Sequence, residues 1–284
     1  MKLCKLATVA AEEAGNYIQS QFDTHVIMSN KEGGDTLASQ VVTEVDIKAQ
    51  EIILSHLEAS IDQFDLGLLT EESLDNQSRL HKEYFWCIDP MDGTLPYAEG
   101  KTGYSVSIAL VSKSGDPFIG IVCIPDEKTC YSAIKGMGVK INGQPFLRDT
   151  IHGSISVYMD RSFTQESYFK QVIDHLSSYA NRINSDLVYH DTFGGVRNAI
   201  SVMNAGTGCY FKFPKQNRGC GSIWDYAATR LFFEELGLNV STADGEILSL
   251  NNTKSTFMNE SGIIYATDKS LVDTIKEIRS EVSQ

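Results

Sequence analysis

Residues 86–94 read WCIDPMDGT. An apolar run ends in an acid, Asp89. A proline follows, then a second acid three positions on, Asp92, and then Gly93-Thr94. Pro90 has a fixed φ and biases the residue before it towards an extended conformation. The pattern predicts a strand over EYFWCIDP that ends at Asp89, with the chain bending sharply after it. Such a bend brings Asp89, the Met91 carbonyl and Asp92 towards one centre. The Gly93 and Thr94 amides then open the next helical turn, where an anion is favourably held.

Two other apolar runs also lead into acids. FDLGLLTEES presents Glu71 and Glu72, and SIWDYAA presents Asp225. Clustered carboxylates of this kind suit a hard cation such as Mg²⁺, which takes oxygen ligands. Each piece also has an ordinary reading. Glu71-Glu72 reads equally as a solvated surface pair. Asp225, after Trp224, and Asp46, near the start of a helix, both stand where helix-capping acids belong.

MDGTL also looks like the tail of the Asp-x-Asp-Gly-Thr motif of haloacid-dehalogenase-type phosphatases. Their nucleophilic aspartate lies two residues before the second acid. Here that position is Pro90, so an aspartyl-phosphate mechanism is excluded.

Around these residues the chain reads as a globular protein of mixed α and β structure. It has 284 residues, 42% of them hydrophobic, enough to bury a core without metals or disulfides. A helix is predicted from residue 3 to about 21, with Leu3, Leu6, Ala7, Ala10, Ala14 and Ile18 at helical spacing. Gly33-Gly34 reads as a turn, and Thr43 to Leu57 as a second helix. YSVSIALVS, FIGIVCIP and the Asn142-Gly143 hairpin continue as antiparallel-type strands. After about residue 150 strands and helices alternate: SISVYMD, SYFKQVIDHLSSYA, VRNAISVMNAG, CYFKFP, SIWDYAATRLFFEELG, GIIYATD and SLVDTIKEIRS. In the helix over SIWDYAATRLFFEELG, one apolar face is expected from Ala227, Ala228, Leu231, Phe232 and Leu236. The change in pattern suggests an α+β domain over 1–150 carrying most of the metal ligands. An α/β domain over 151–284 would carry Asp225 and the specificity residues.

The formal net charge of −13 argues against a nucleic-acid polymer as partner but leaves room for a small phosphorylated ligand. The six cysteines form no CxxC pair and read as buried, reduced thiols. No segment approaches the ~18 apolar residues of a membrane span, and the N-terminus reads as an amphipathic helix, so the expected location is cytoplasmic.

Taken in order, TEVD (43–46), LLTEES (68–73), WCIDPMDGT (86–94) and IWDYAA (223–228) resemble the motifs of the inositol monophosphatase superfamily. The match spans the chain from its first helix to its last strand. The resemblance implies a layered α-β-α-β-α sandwich and a magnesium-dependent, lithium-inhibited phosphomonoesterase with two or three Mg²⁺ per active site. It implies that Glu71, Asp89 and the Met91 carbonyl hold one metal, and that Asp89, Asp92 and Asp225 hold a second. Thr94 and Asp46 would orient and help deprotonate the attacking water, with Glu71 contributing. The Gly93 and Thr94 amides would hold phosphate oxygens. A homodimer is implied by the same analogy.

The substrate depends on other residues. Inositol monophosphatases carry a hydroxyl-binding glutamate on the strand before the Trp-Asp motif. Here Lys212 of CYFKFP stands at that place, and a lysine meets a second phosphate better than a hydroxyl. GGVRN resembles the Gly-Ser-Ser-Leu-Lys stretch of the bisphosphate nucleotidases, with Arg197 at the lysine and neither serine present. Lys215 and Arg218 add charge nearby, which also reads as ordinary solvated loop charge. The reading leans to a 3′(2′),5′-bisphosphate nucleotidase acting on 3′-phosphoadenosine 5′-phosphate. The runner-up is an inositol monophosphatase or broad sugar-phosphate phosphatase. A reading of another class is an inactive relative that only binds metal or nucleotide; the presence of all the expected acids and Thr94 weighs against it.

Overall fold

The computed structural model describes residues 1–22, 28–30, 41–148 and 153–282. The expected Gly33-Gly34 turn and the expected boundary at residue 150 lie outside them. The first part of the chain runs α1 (Lys2–Gln21), β1 (Met28–Asn30), β2 (Val41–Thr43), α2 (Glu44–Phe64), β3 (Gly67–Thr70), β4 (Tyr84–Asp92) and α3 (Thr94–Ala98). It continues through β5 (Ser105–Ser112), β6 (Pro117–Ile124), β7 (Thr129–Ile134), β8 (Val139–Ile141) and β9 (Gln144–Pro145). Then follow β10 (Ile155–Tyr158), α4 (Phe169–Arg182), β11 (Leu187–His190), α5 (Gly195–Asn204), β12 (Thr207–Lys212), α6 (Ile223–Glu235), β13 (Asn239–Ser241), β14 (Ile263–Ala266) and α7 (Lys269–Val282).

Seven strands form one sheet in the order β3-β4-β5-β6-β7-β8-β9, and five form another in the order β11-β10-β12-β14-β13. In the first sheet only the β3–β4 pair is parallel among the pairs next to β4. In the second, β10 runs parallel to both β11 and β12. Alternation along β4 shows how the layers stack. Trp86 and Ile88 join an apolar cluster with Ala7, Ala14 and Ile18 of α1 and Ile53 and Leu57 of α2. Phe85 and Cys87 point the other way, into a cluster with Val196 and Ile200 of α5 and Ala227 and Leu231 of α6. A third cluster fills the far face of the second sheet, with Leu176 of α4 and Ile275 of α7. The order of layers is therefore α, β, α, β, α, as the resemblance implied.

Packing between layers explains two departures from the sequence reading. α6 is buried from Tyr226 through Phe233 without a break, not on one face, because a sheet lies on each side of it. α2 extends seven residues past Leu57, to Phe64. The polar Ser60 looks like the end of its apolar stripe, but it is buried and accepts the Trp86 indole N–H at 3.0 Å.

The expectation of six free thiols is also corrected. Cys123 and Cys130 form a disulfide, while Cys4, Cys87, Cys209 and Cys220 are free. The two bonded cysteines are in-register neighbours on antiparallel β6 and β7, a proximity set by strand pairing. Among the described residues no helix is long and apolar enough to cross a membrane.

Candidate active site

β4 does not stop at Asp89. It pairs with β5 through Asp92, with Asp89 opposite Ser107 and Asp92 opposite Ser105. Three steps on β4 match two on β5, so the Pro90-Met91 segment is a one-residue bulge, where a residue without an N–H is tolerated. The expected bend after Asp89 is thus a bulge, and the turn comes at Gly93, with φ +86°. A Cβ at Gly93 would lie 2.7 Å from the Gly103 carbonyl oxygen, so both backbone conformation and space demand glycine. The bulge has a geometric consequence. Residues three apart on a regular strand face opposite sides; one extra residue returns Asp89 and Asp92 to the same side, that of the middle helices.

Two helices deliver further acids by their N-termini. In α2, Asp46 Oδ2 accepts the Thr43 amide at 2.8 Å, closing a capping box, while Oδ1 accepts the Thr94 hydroxyl at 2.8 Å. In α6, Asp225 Oδ2 accepts the Ser222 amide at 2.8 Å, and the carboxyl also hydrogen-bonds Asp89. Asp46 and Asp225 therefore each stabilise their own helix start while hydrogen-bonding a residue of the 86–94 stretch, Thr94 and Asp89 respectively.

Asp92 instead receives a helix from far along the chain. Its Oδ1 accepts the Gly195 amide at 2.8 Å, and its Oδ2 accepts those of Val196 at 3.0 Å and Arg197 at 3.4 Å. The α5 N-terminus thus points at Asp92. A Cβ on Gly194 would collide with the Asp92 carboxylate, which gives the Gly194-Gly195 pair a packing reason.

Asp89, Asp92 and Asp225 each place one oxygen so that the three lie within 4.8 Å of one another. Burial, then the charge of Glu71, drives Asp89 well above the ordinary carboxylate range. Burial and the Asp225 charge push Asp92 up to about 8. Burial and Glu71 push Asp225 to about 6, and burial pushes Asp46 to about 6 against its hydrogen bonds from Thr43 and Thr94. Mutually repelling, buried carboxylates with all-oxygen donors fit a hard divalent cation, which relieves the repulsion that protons otherwise must.

The remaining expected residues divide. Glu71 follows β3, its amide donating to the Ile88 carbonyl at 3.1 Å, and its charge reaches Asp46, Asp89 and Asp225. The Met91 carbonyl accepts the Thr94 hydroxyl at 3.1 Å. Lys212, at the end of β12, is brought to the cluster: its charge opposes the upward shifts of Asp92 and Asp225. Its Nζ lies 2.7 Å from Asp160 Oδ2 and over the rings of Tyr210 and Tyr226. Arg197 is brought only by its backbone. Its guanidinium pairs with Glu127 and lies over Phe193, and the side chain lines a separate cavity of about 510 Å³ with Tyr131, Tyr158 and Asn204. As the third residue of a helix aimed at Asp92, it offers its amide there while its side chain leaves the helix sideways. Arg218 stacks on Phe257, and the Lys215 amide donates to the Asn259 carbonyl.

Two residues escaped the sequence reading. Gln50, one helical turn after Asp46, accepts the Thr70 hydroxyl and the Glu72 amide and donates to Ser73 Oγ at 2.9 Å, gripping the segment that carries Glu71. Its i+4 spacing from Asp46 was the available signal. Asp160 follows the apolar run SISVYM, the same pattern that drew attention to the other acids.

A model of the inositol monophosphatase family matches residues 2–284. The chain is 24% identical to the Nus factor SuhB of Escherichia coli strain K12 over 247 residues, 86% of each protein. It is similar to the 3′(2′),5′-bisphosphate nucleotidase CysQ of Aggregatibacter actinomycetemcomitans over 260 residues, 90% of each. The solved structure of a Thermotoga maritima IMPase superposes with a TM-score of 0.77 at 18% identity, over 99% of this chain and 100% of that one.

Proposed function

The chain belongs to the inositol monophosphatase family of metal-dependent phosphatases, and we propose that it hydrolyses a small phosphate monoester bearing a second phosphate, of the 3′-phosphoadenosine 5′-phosphate type, with Mg²⁺. The observation that carries the reaction is the convergence of Asp89, Asp92 and Asp225 within 4.8 Å, with Glu71 close by. Glu71, Asp89, Asp92, Asp225 and the Met91 carbonyl would hold the cations. Bound divalent cations supply Lewis acidity, neutralising the ester's negative oxygens and stabilising the leaving oxygen.

The protein's own groups handle the proton. Thr94 Oγ donates to Asp46 Oδ1, which leaves its lone pairs free to accept a proton from the attacking water. The Thr94 proton then passes to Asp46. A carboxyl raised to about 6 is ionised near neutral pH yet basic enough to take that proton. The Gly93 and Thr94 amides open α3 and would hold phosphate oxygens.

For the substrate, Lys212 is the side chain suited to a second phosphate, and the likeness to a bisphosphate nucleotidase agrees with it. A second reading, a polyol or sugar monophosphatase, is favoured by one observation: Asp160 already neutralises Lys212. The deciding measurement is turnover of 3′-phosphoadenosine 5′-phosphate, inositol 1-phosphate and fructose 1,6-bisphosphate with Mg²⁺, with and without Li⁺. The expected result is Mg²⁺-dependent, Li⁺-inhibited hydrolysis with the nucleotide preferred. Preference for inositol 1-phosphate would select the second reading.

A further inference from the structure

Lys212 sits between two sets of acids. On the inner side are Asp92 and Asp225, whose own oxygens accept helix amides. On the outer side is Asp160. β10 and β12 run parallel with Tyr158 opposite Tyr210, so two residues further on, Asp160 arrives opposite Lys212. Asp160 Oδ2 takes the Lys212 ammonium at 2.7 Å and Oδ1 accepts the Tyr210 hydroxyl at 3.0 Å. The Lys212 side chain is 13% exposed and that of Asp160 33%, so Asp160 is the more exposed partner of this ion pair.

An anion that reaches Lys212 therefore meets an ammonium whose charge is already partly balanced by a carboxylate bonded to it. The tyrosine hydroxyl and strand register keep Asp160 in place, and the two rings confine the ammonium. We infer that Asp160 is a specificity-determining residue: it acts as an internal competitor for the second phosphate, setting how strongly the cleft prefers a bisphosphorylated over a monophosphorylated substrate. This rests on the reading of Lys212 as the group that meets the second phosphate. The carboxylate touches no reacting atom and acts through Lys212.

The matched pair 3′-phosphoadenosine 5′-phosphate and adenosine 3′-phosphate, which differ only in the second phosphate, isolates the effect. In Asp160→Asn the amide oxygen can still accept from Tyr210 while the competing charge is gone. We expect the ratio of kcat/KM values, bisphosphate over monophosphate, to rise by about tenfold, the scale of one charge-assisted hydrogen bond. The change should fall on the KM of the bisphosphate, with kcat for both substrates within about twofold of the parent. Asp160→Glu, which keeps the charge, should restore a ratio near the parent's, and Asp160→Ser provides a second neutral variant should the asparagine variant fold poorly. A merely structural role would lower both substrates together and leave the ratio unmoved, and that result overturns the inference. The outcomes separate it from the proposed function. Wild type preferring the bisphosphate with no change of ratio in the neutral variants sinks the role of Asp160 alone. Wild type preferring the monophosphate, with the bisphosphate gained in the neutral variants, sinks the proposed substrate and keeps the role of Asp160.

Discussion

The acids of the cleft and the basic side chains around it are anchored by different means. Asp46, Asp92 and Asp225 are each tied to backbone amides: the first and last to the start of their own helices, Asp92 to the start of α5. Lys212 and Arg197 are tied to side-chain carboxylates from other elements, Asp160 and Glu127. Amide anchors hold a carboxyl group in position whether or not a ligand is present. A carboxylate partner holds a cation but also spends its charge, so the cation is available to a ligand only through exchange. The acidic side is therefore held in one arrangement by the backbone, and on our proposal the basic side is tuned by competition.

The most severe way to break the acidic side is Asp92→Asn. It removes one charge from the cluster and leaves an oxygen for the Gly195 amide, so the fold should persist with little loss at the α5 start, where asparagine and aspartate accept amides about equally well. Metal-dependent turnover should fall by about 10³-fold, the upper scale for losing one preorganised electrostatic group. Steady-state kinetics beside a thermal melt checks both, and near-wild-type turnover would refute the role of Asp92.

Thr94→Ala should come next, with kcat down by about 10²-fold and Mg²⁺ affinity little changed, because it removes the hydroxyl bonded to Asp46 and Met91 but no charge. Thr94→Ser should recover most of the rate. A large fall in Mg²⁺ affinity, read by calorimetry, would instead make Thr94 part of the cation site.

The raised carboxyls predict a smaller, thermodynamic effect. Asp92 at about 8 and Asp46 and Asp225 at about 6 bind protons more tightly folded than unfolded, where a carboxyl titrates near 3.8. Their contribution is fully present below the unfolded value and is lost as pH rises through the folded ones. The Tm of cation-free protein should therefore decline between about pH 5 and 8, and the rise in Tm on adding Mg²⁺ should be greater at the upper end. Scanning calorimetry at a few pH values tests this, and a Mg²⁺ response independent of pH contradicts it.

The mildest change tests the basic side. Arg197→Ala removes a guanidinium committed to Glu127 and directed into a cavity that none of the clustered acids lines. Its kcat/KM on the nucleotide should stay within about twofold of wild type, the scale of surface ion-pair effects. A fall of tenfold or more would return Arg197 to the substrate side and narrow the difference between the two regions.

How far the site could be read in advance follows the same division. Asp46 and Asp225 were visible because a capping acid is a local pattern: a polar N-cap residue with an acid three positions on. Asp89 and Asp92 were visible as acids closing a strand, yet their orientation was not. A bulge is a mismatch between two strands, and β5 lies more than ten residues away in sequence from Asp92. Asp160 went unread although it closes an apolar run like the others, since nothing near it in sequence announces Lys212, which lies across a parallel strand pair.

By itself the sequence determined the longer helices and strands in their order, though not the short strands β1, β2, β11 and β13, together with the acids and threonine of the motif and the exclusion of an aspartyl nucleophile by Pro90. These depend on side-chain periodicity and on neighbours within a few residues, where backbone geometry leaves few choices. Tertiary structure alone decided that α6 is buried on every side, that Cys123 meets Cys130, that Arg197 turns away and that Asp160 holds Lys212. Each of those depends on strand register or layer packing, which bring together residues that no local pattern connects.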